Sequence, residues 1–493
     1  MVWHWLHYVE LGLVVGGYLL ALVTTLRIVL QRREPTATLA WVLGIVLLPY
    51  LGLLMYLLVG RRRLNRRVRQ RRVRAAVLEP HLDRVGEGIA DLQVPPAGEP
   101  AAENSLSARL SKPQDRELVH LSDRMGLRRP TLGNDVRLLV ANQAYQALEE
   151  AIASAQDHIH LLYYIFESDE TGRRFRDLLI AKAKAGVAVR LLVDGVGSFG
   201  VSTFLIPLTQ VGGKFAEFLP VGQLSRHWHP NLRNHRKIAV IDGRVAFTGG
   251  VNIGDEYTGR KRKVGPWRDC HLQLWGPAVN HLQEVFAEDW FFATGEDLIS
   301  EAWYPEQQPA GDQLVQIIAS GPDTETQPIQ RIFFTAITMA EQRVYLTTPY
   351  FVPDQAMLVA LQTASLRGVD VKLLLPHRSD MKLVLHAGRS YYKELLDSDV
   401  EIYEYLPGVL HAKTMVVDDR WSTVGSANMD VRSFKLNFEV NAVIYGPDLA
   451  GELADVFRRD LAQARKITRE FVAQKSLKSR MAESFARVLS PVL

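Results

Sequence analysis

The sequence predicts an α/β fold made of two copies of one domain, and three observations support this prediction. Beyond about residue 130, short apolar runs typical of buried strands alternate with amphipathic helical patterns. The strand pattern at 158–166 recurs at 343–351, and the strand that begins at Gly186 recurs at Gly368. The separation of about 180 residues is too long for a solenoid repeat and indicates duplication of a whole domain.

Two apolar runs near the N-terminus predict hydrophobic helices ahead of the duplicated domain. The run 11–30 contains few polar residues, and the run 38–59 carries no charge. A helix as long as the second run would cross ~30 Å of hydrocarbon. Pro49 lies inside that run, so two transmembrane helices and a re-entrant hairpin both remain open.

A basic cluster follows the second apolar run. Residues 61–74 read RRRLNRRVRQRRVR. Positive residues just past an apolar span favour the cytosolic side of a membrane, and they are attracted to anionic lipid headgroups. We therefore expect the large C-terminal part of the chain to lie in the cytosol.

The pattern divides the chain into five segments. They are an N-terminal membrane module with its Arg cluster (1–75), a linker rich in Pro, Gly and Ala (76–128), a first domain (129–310), a second domain (311–460) and a C-terminal amphipathic helix (461–493). Apolar residues recur near helical spacing towards the C-terminus, with Arg and Lys between them. Packing against the core and lying at a membrane interface are both open for this last segment.

Composition and charge exclude several kinds of site. Cys270 is the only cysteine, so the chain can form neither an internal disulfide nor a Cys-rich zinc site. The net charge is only +4, and the densest basic run lies beside the apolar segments, which argues against a nucleic-acid groove. His227 and His229 have no cysteine or acidic cluster beside them, so we predict no metal site.

Each copy of the domain contains the pattern H-x-K-x4-D, with an asparagine 17 positions after the histidine. The residues are His235, Lys237, Asp242 and Asn252 in the first copy, and His411, Lys413, Asp418 and Asn428 in the second. One such motif arises by chance in roughly one chain in twenty to thirty of this length. Two copies with matching asparagines, small residues and flanking strands are far rarer.

The spacing of the motif suits phosphate chemistry. A histidine and a lysine two positions apart in a strand project from the same face. Two such units that meet around a pseudo-twofold axis would place paired histidines, lysines and asparagines around one cavity. Lysine and asparagine side chains bind the oxygens of a phosphodiester, while histidines can attack phosphorus and transfer protons.

These motifs resemble the paired HKD motifs of the phospholipase D superfamily, and the resemblance covers about residues 130 to 460. It implies two pseudo-symmetric halves packed together around a shared active site that requires no metal or other cofactor. One histidine attacks phosphorus to form a phosphohistidine, and the other protonates the leaving alcohol. By position and family habit, His235 would be the nucleophile and His411 the general acid/base.

The resemblance also implies roles for the remaining motif residues. The phosphate would be held by Lys237, Asn252, Lys413 and Asn428. An acidic residue after each asparagine would orient a histidine, and Asp269 and Glu439 fit this role in the first and second halves. Asp242 and Asp418 complete the catalytic motifs, where we expect them to hold the motif turn.

Four further segments resemble bacterial cardiolipin synthases. They are the membrane module from Arg33 (REPTATLAWVLGIVLLPYLGLLMYLLVGRRRL), YYIFESDETG from Tyr163, GGVNIGDEY from Gly249 and SFKLNFEVN from Ser433. This resemblance implies that two phosphatidylglycerol molecules give cardiolipin and glycerol at an anionic phospholipid membrane. It further implies a multi-pass protein of the cell inner membrane that does not bind nucleic acid.

Several alternatives remain open at this point. A phospholipase D that hydrolyses phospholipids to phosphatidic acid would share every catalytic residue, and a membrane-bound HKD nuclease is a weaker candidate. Phosphatidylglycerol, phosphatidylethanolamine and a free alcohol are all possible acceptors. A scaffold with an inactive fold is disfavoured by the intact motifs in both halves. The sequence does not determine the oligomeric state, and a homodimer is compatible with it.

Overall fold

The computed structural model describes residues 2–31, 35–56, 110, 112–221, 231–260, 265–324 and 326–489. The chain divides into two compact units. One comprises residues 1–65 with 224–232, and the other comprises residues 66–223 with 233–493. The Arg cluster at 61–74, most of the predicted linker, and His227 and His229 lie outside the described residues.

The first unit contains three apolar helices: α1 (Val2–Leu30), α2 (Pro35–Leu47) and α3 (Pro49–Met55). The second predicted run is interrupted at Leu48, whose φ of −133° and ψ of 72° are not helical, and Pro49 then begins the next helix. A small cluster forms around Tyr56, whose ring packs edge-on against Trp41 at 5.5 Å between centroids. None of the helices in the described part of the chain combines the length and apolar character that crossing a bilayer requires.

The second unit is built on two large sheets, and two of its short strands, Phe351–Val352 and Met429–Asp430, pair as a separate small sheet. In chain order its strands are β1 (Thr131–Val140), β2 (His158–Tyr163), β3 (Ala188–Asp194), β4 (Lys214–Phe218), β5 (Arg233–Asn234), β6 (Ile238–Ile241), β7 (Val245–Gly249), β8 (Trp267–Arg268), β9 (Cys270–Trp275), β10 (Gln313–Ser320), β11 (Arg343–Thr347), β12 (Phe351–Val352), β13 (Asp370–Arg378), β14 (Glu401–Leu410), β15 (Thr414–Val417), β16 (Trp421–Gly425), β17 (Met429–Asp430), β18 (Asn437–Tyr445) and β19 (Ala464–Ile467).

The two sheets have the same strand order. The first runs β4-β3-β2-β6-β7-β9-β1, and the second runs β14-β13-β11-β15-β16-β18-β10, with β19 added at its edge. In each sheet the first three strands are parallel and the others are antiparallel. This correspondence confirms the predicted duplication and the α/β class.

Pairings between the halves join the two sheets into one closed network of strands. β1 pairs with β10 in antiparallel fashion. The short strand β5 of the first half pairs with the start of β18, and β8 pairs with the end of β14. Both short strands therefore lie in the opposite half's sheet, directly beside a motif residue.

Helices cover the sheets. They are α4 (Pro113–Arg124), α5 (Gln143–Ser154), α6 (Glu170–Lys184), α7 (Ile206–Gln210), α8 (Ala278–Thr294), α9 (Pro328–Thr338), α10 (Gln355–Leu366), α11 (Lys382–Arg389), α12 (Tyr392–Leu396), α13 (Val431–Lys435), α14 (Pro447–Leu461), α15 (Arg469–Ala473) and α16 (Leu477–Val488), with 3₁₀ turns at Thr203–Leu205, Asp255–Thr258 and Glu301–Trp303. One core cluster contains residues of both halves, for example Phe218, Phe292 and Phe438, so the halves share a continuous hydrophobic core.

Two of the predicted segment boundaries need correction. Residues 113–124, assigned to the linker, form helix α4, because Leu118 and Val119 bury their side chains in the second domain's core and Asp115 pairs with Arg420. The predicted single helix at 461–493 is instead strand β19 followed by helices α15 and α16. Strand β19 adds to the edge of β14, and this pairing ends the helical pattern after α14.

Candidate active site

The two motif histidines occupy corresponding positions in the two halves. His235 follows β5, and His411 follows β14. The backbone N–H of His235 donates to the carbonyl of Phe438 at 2.9 Å, and that of His411 donates to the carbonyl of Arg268 at 2.7 Å. Each histidine is thus hydrogen-bonded through its backbone to a strand of the opposite half.

His235 is oriented by a buried carboxylate. Its Nδ1 lies 3.1 Å from Glu439 Oε2 and 3.1 Å from the carbonyl oxygen of Ser426. Glu439 is itself held by the hydroxyl of Ser426 and by the amide of Asn437, which donates to Oε1 at 3.1 Å. An Nδ1–H directed at two acceptors leaves the lone pair of Nε2 available for attack on phosphorus.

The electrostatic environment keeps His235 neutral. Burial, the largest effect, acts together with Lys237 and Lys413 to lower the pKa of His235 to about 4, against the opposing charge of Glu439. Burial alone would raise the pKa of Glu439, but His235 and Lys237 hold it below its usual range. An uncharged imidazole beside an ionised carboxylate is the protonation state that a nucleophilic histidine requires.

His411 has the same arrangement with a shorter contact. Its Nδ1 lies 2.7 Å from Asp269 Oδ2, and Asp269 also accepts from the backbone N–H of Cys270 at 2.8 Å. The ammonium of Lys413 lies 2.9 Å from Nδ1 and 3.0 Å from Nε2 of the same ring. Burial and this ammonium both lower the pKa of His411, while Asp269 opposes them.

The histidine–carboxylate pairs cross between the halves. His235 belongs to the first half, and its partner Glu439 belongs to the second. His411 belongs to the second half, and its partner Asp269 belongs to the first. Neither half therefore contains both members of a histidine–carboxylate pair of the site, and the site forms only when the two halves pack together.

The two motif lysines are buried cations. Burial lowers the pKa of Lys237 to about 7 and that of Lys413 to about 8. Within the described residues neither ammonium forms an ion pair, and each donates to the carbonyl of its own motif histidine. The carboxylates of Glu439 and Asp269 act on both ammonium groups from beyond ion-pair distance, so an anion in direct contact with the lysines would be stabilised in this site.

The motif asparagines are buried. The side-chain oxygen of Asn252 accepts from the backbone N–H of Ile165 at 3.2 Å. The side-chain oxygen of Asn428 is buried and has no hydrogen-bond partner in the structure. A buried polar atom without a partner is costly, so a substrate group that donates to it would be stabilised there.

The motif aspartates face away from the histidines and hold loops. Asp242 accepts hydrogen bonds from the backbone N–H groups of residues 156, 157 and 158 at 2.8 to 2.9 Å. Asp418 does the same for residues 341, 342 and 343 at 2.7 to 3.0 Å. Each aspartate has a left-handed backbone, with φ of 53° and 52°, in the turn after the motif strand. The geometry therefore gives them a structural role in anchoring strands β2 and β11.

We expect Asp242→Ala and Asp418→Ala each to lower the free energy of unfolding by about 3 kcal/mol, since each loses three hydrogen bonds to a charged acceptor. The measurement is the thermal unfolding transition of the full-length protein in detergent. The exposed Asp177, replaced by alanine, is the control and should change stability by less than about 0.5 kcal/mol. Full stability with lost turnover would contradict this role and place the aspartates in the chemistry.

Three aromatic rings that the sequence analysis missed line the histidines. Tyr164 packs edge-on against His235 at 4.8 Å between ring centroids. Trp267 and Tyr350 lie 5.0 Å and 6.3 Å from the ring of His411. Tyr164 and Tyr350 each follow the strand that recurs in the two halves, so that repeat is a signal that could have found them.

Buried Arg–Asp pairs support the site, and each arginine is adjacent in sequence to a site residue. Arg236 lies between the motif histidine and lysine, and its guanidinium donates to Asp289 at 2.7 Å and to the carbonyl of Glu439 at 3.1 Å. Arg268 precedes Asp269 and pairs with Asp460 at 2.8 Å. Asp289 and Asp460 lie on helices far along the chain, and no local pattern marked them.

Metal ligands are not clustered in the described residues, where no group of three or more His, Cys, Asp or Glu side chains could hold an ion.

The chain is 39% identical to the cardiolipin synthase of Geobacillus sp. (strain WCH70) over 470 residues, which cover 94% of this chain and 90% of that protein. It is also 39% identical to cardiolipin synthase 2 of Bacillus cereus, with 94% and 88% covered. Residues 148–290 and 333–461 match the family profile described as "Cardiolipin synthase, PLD-like domain". The chain belongs to the cardiolipin synthase family.

Membership of the cardiolipin synthase family confirms the resemblance drawn from the motifs and makes the chain an enzyme of the phosphatidyltransferase class. Residues 18–61 match a second profile, described as "Phospholipase D-nuclease N-terminal". The crystal structure of phosphatidylserine synthase from Haemophilus influenzae Rd KW20 superposes with a TM-score of 0.56 at 13% identity, covering 76% of this chain and all of that one. That similarity shows that this chain shares the fold of that phosphatidylserine synthase.

Proposed function

We propose that this member of the cardiolipin synthase family transfers a phosphatidyl group from one phosphatidylglycerol to a second, giving cardiolipin and glycerol. In the first step, Nε2 of His235 attacks phosphorus while His411 protonates the departing glycerol oxygen. The P–O bond to glycerol breaks, and a P–N bond to His235 forms. Glycerol leaves, and the phosphatidyl group stays on the enzyme.

In the second step the terminal hydroxyl of another phosphatidylglycerol attacks the same phosphorus. His411, now neutral, accepts the hydroxyl proton, and the P–N bond to His235 breaks. Lys237, Lys413, Asn252 and Asn428 hold the phosphate oxygens, and the lysines stabilise the charge that develops on them. Both histidines return to their starting protonation states.

The observation that carries the proposal is the pair of buried, crossed histidine–carboxylate contacts beside two buried lysines that form no direct ion pair among the described residues. The two histidines have unequal surroundings. Nδ1 of His235 is bonded only to acceptors, whereas Lys413 approaches both ring nitrogens of His411. This difference favours His235 as the nucleophile and His411 as the proton-transfer group.

We also propose that the N-terminal unit holds the enzyme at the cell inner membrane, with the catalytic halves in the cytosol. The apolar helices α1 to α3, the profile match at 18–61 and the Arg run that follows at 61–74 support this placement. A lipid-facing site limits access by water, which would otherwise intercept the phosphohistidine.

We expect kcat/KM to fall as the pH rises through about 7 to 8, because Lys237 and Lys413 lose their charges there. Bound phosphate stabilises the ammonium forms, so the corresponding fall in kcat should lie at higher pH. The measurement is the pH–rate profile of the detergent-solubilised enzyme. His235 must be neutral to attack phosphorus, so its pKa of about 4 gives a second limb, in which kcat/KM rises with pH. A flat kcat/KM between pH 7 and 9 would contradict the assignment.

The test of the proposed reaction is incubation of the purified full-length protein with labelled phosphatidylglycerol, beside the His235→Ala variant. Labelled cardiolipin with one glycerol released per product, absent from the variant, would support the transferase. Phosphatidic acid without cardiolipin would replace it with a hydrolase. No turnover of phosphatidylglycerol would overturn the substrate assignment.

A further inference from the structure

The C-terminal helix α16 carries an apolar stripe on its outer face. Leu477, Met481, Phe485 and Val488 recur at the spacing of one helix face and have 72%, 63%, 65% and 75% of their surfaces exposed. The opposite face buries Glu483 and Ala486. Single exposed apolar residues are common, but a continuous stripe of four large ones marks an interaction surface.

The inner face of α16 is firmly attached to the second half. Arg487 pairs with Glu394, and its guanidinium lies 4.5 Å above the ring of Tyr391. Lys475 pairs with Glu483 at 2.8 Å within the C-terminal segment, and its ammonium lies 5.3 Å from the centre of the Tyr392 ring in the second half. The helix is therefore held by its polar contacts and presents the apolar stripe outwards.

The charges around the stripe are predominantly positive. Lys478 and Arg480 are exposed on α16, and within the described residues neither has a carboxylate partner. A cavity of about 650 Å³ lies between the C-terminal helices and helices α11 and α12. Five of its six lining cations are in ion pairs with carboxylates, and Arg480 is the lining cation that has no such partner among the described residues. Positive groups beside an apolar stripe match anionic headgroups above acyl chains.

The stripe is connected to the active site through one helix. Helix α16 packs against α11 (Lys382–Arg389), which begins just after Asp380. Asp380 accepts a hydrogen bond at 2.7 Å from the hydroxyl of Tyr350, the ring beside His411. Met381, between them, is also exposed. A membrane contact at α16 would therefore lie close in structure to the edge of the site.

We propose that helix α16 docks on the surface of an anionic phospholipid bilayer, with its apolar stripe among the acyl chains and Lys478 and Arg480 at the lipid phosphates. The choice of lipid rests on the proposed function. The inference goes beyond that function because it names the surface of the catalytic unit that meets the membrane. An Arg-rich segment of the same chain fits this surface poorly, since it would be repelled by Lys478 and Arg480.

A fluorescent label placed on the stripe tests the docking directly. Phe485→Cys is labelled with an environment-sensitive dye in the full-length protein, reconstituted in nanodiscs that contain phosphatidylglycerol or only phosphatidylcholine. Cys270 is buried, so wild type measures background labelling. Leu366→Cys, on α10 and 68% exposed, is the matched control. We expect a blue-shifted emission and quenching by brominated acyl chains at position 485, with phosphatidylglycerol only.

Three results of the labelling experiment would overturn the proposal. Equal signals at positions 485 and 366 would indicate general adsorption. Equal quenching in phosphatidylcholine would remove the role of charge. Blue emission without quenching by brominated lipid would mean that another segment or a second copy of the chain covers the stripe.

Turnover provides an independent test of the docking. The double variant Met481→Glu with Phe485→Glu should lower kcat/KM about tenfold on phosphatidylglycerol in nanodiscs and leave it within about twofold on short-chain phosphatidylglycerol in micelles. Leu366→Glu should change neither value. Lys478→Glu with Arg480→Glu keeps the apolar face and should also weaken only the nanodisc reaction. Unchanged nanodisc activity in both double variants would overturn the docking proposal. A wild-type protein that is inactive in both assays would contradict only the proposed function, because quenching by brominated lipid measures docking without any turnover.

Discussion

Replacing His235 by alanine is expected to lower turnover by roughly 10⁴-fold or more, because the covalent intermediate can no longer form. His411→Ala should lower turnover by roughly 10²- to 10⁴-fold, since proton transfer is lost but the nucleophile remains. The two variants are expected to differ in whether the covalent intermediate accumulates, when the donor carries a leaving group that needs no protonation, such as a nitrophenol. His411→Ala should then accumulate the phosphatidyl group on His235, and His235→Ala should accumulate none.

Mass spectrometry of the peptide that contains His235, after an alkaline quench, measures this accumulation. His120→Ala, an exposed histidine on α4, is the control and should retain wild-type turnover. A phosphatidyl adduct on His411 in the His235→Ala variant would reverse the assigned roles. No adduct in either variant would contradict the covalent pathway.

The crossed contacts predict that each carboxylate variant behaves like the alanine variant of the histidine that it contacts in the opposite half. Glu439→Gln should resemble His235→Ala and form little intermediate, because Glu439 contacts His235 at 3.1 Å. Asp269→Asn should resemble His411→Ala and accumulate intermediate from the activated donor, because Asp269 contacts His411 at 2.7 Å. We expect each change to lower turnover by roughly 10²- to 10⁴-fold, since the carboxylate fixes the imidazole tautomer and stabilises its charged form.

Double-variant cycles measure which histidine each carboxylate is coupled to. Adding Glu439→Gln to His235→Ala should cost little further activity, and adding it to His411→Ala should cost much more. Glu404→Gln is a matched control, because Glu404 is also buried and lies 2.8 Å from a histidine, His377, but outside the site. It should lower stability without changing which intermediate accumulates. Coupling of Glu439 to His411 instead of His235 would contradict the crossed arrangement.

Much of the fold could be predicted because its signals are local. The duplication appears as the same strand pattern at 158–166 and 343–351, and the two sheets indeed share one strand order. Helix α4 at Pro113–Arg124 was missed because its helical signal is short and follows a Pro-rich stretch. Its two buried apolar residues, Leu118 and Val119, reveal its role only once the core they enter is known.

Some residues of the candidate site could likewise be predicted from local sequence, and others could not. The sequence pattern identified these candidates because each half carries its own set within one short stretch. They are His235, Lys237 and Asn252, with their counterparts 176 positions later. The supporting aspartates Asp289 and Asp460 were not identified, because they lie on helices remote in sequence from the arginines they hold.

The sequence by itself determined the candidate catalytic residues and that two equivalent halves supply them, since residue spacing within a strand sets which side chains share a face. Only the tertiary structure decided how they combine. Contacts across 204 and 142 positions pair His235 with Glu439 and His411 with Asp269, because β5 and β8 each join a strand of the opposite half. Burial, which lowers the pKa of Lys237 and of Lys413, is likewise a property of the packed halves and not of the spacing.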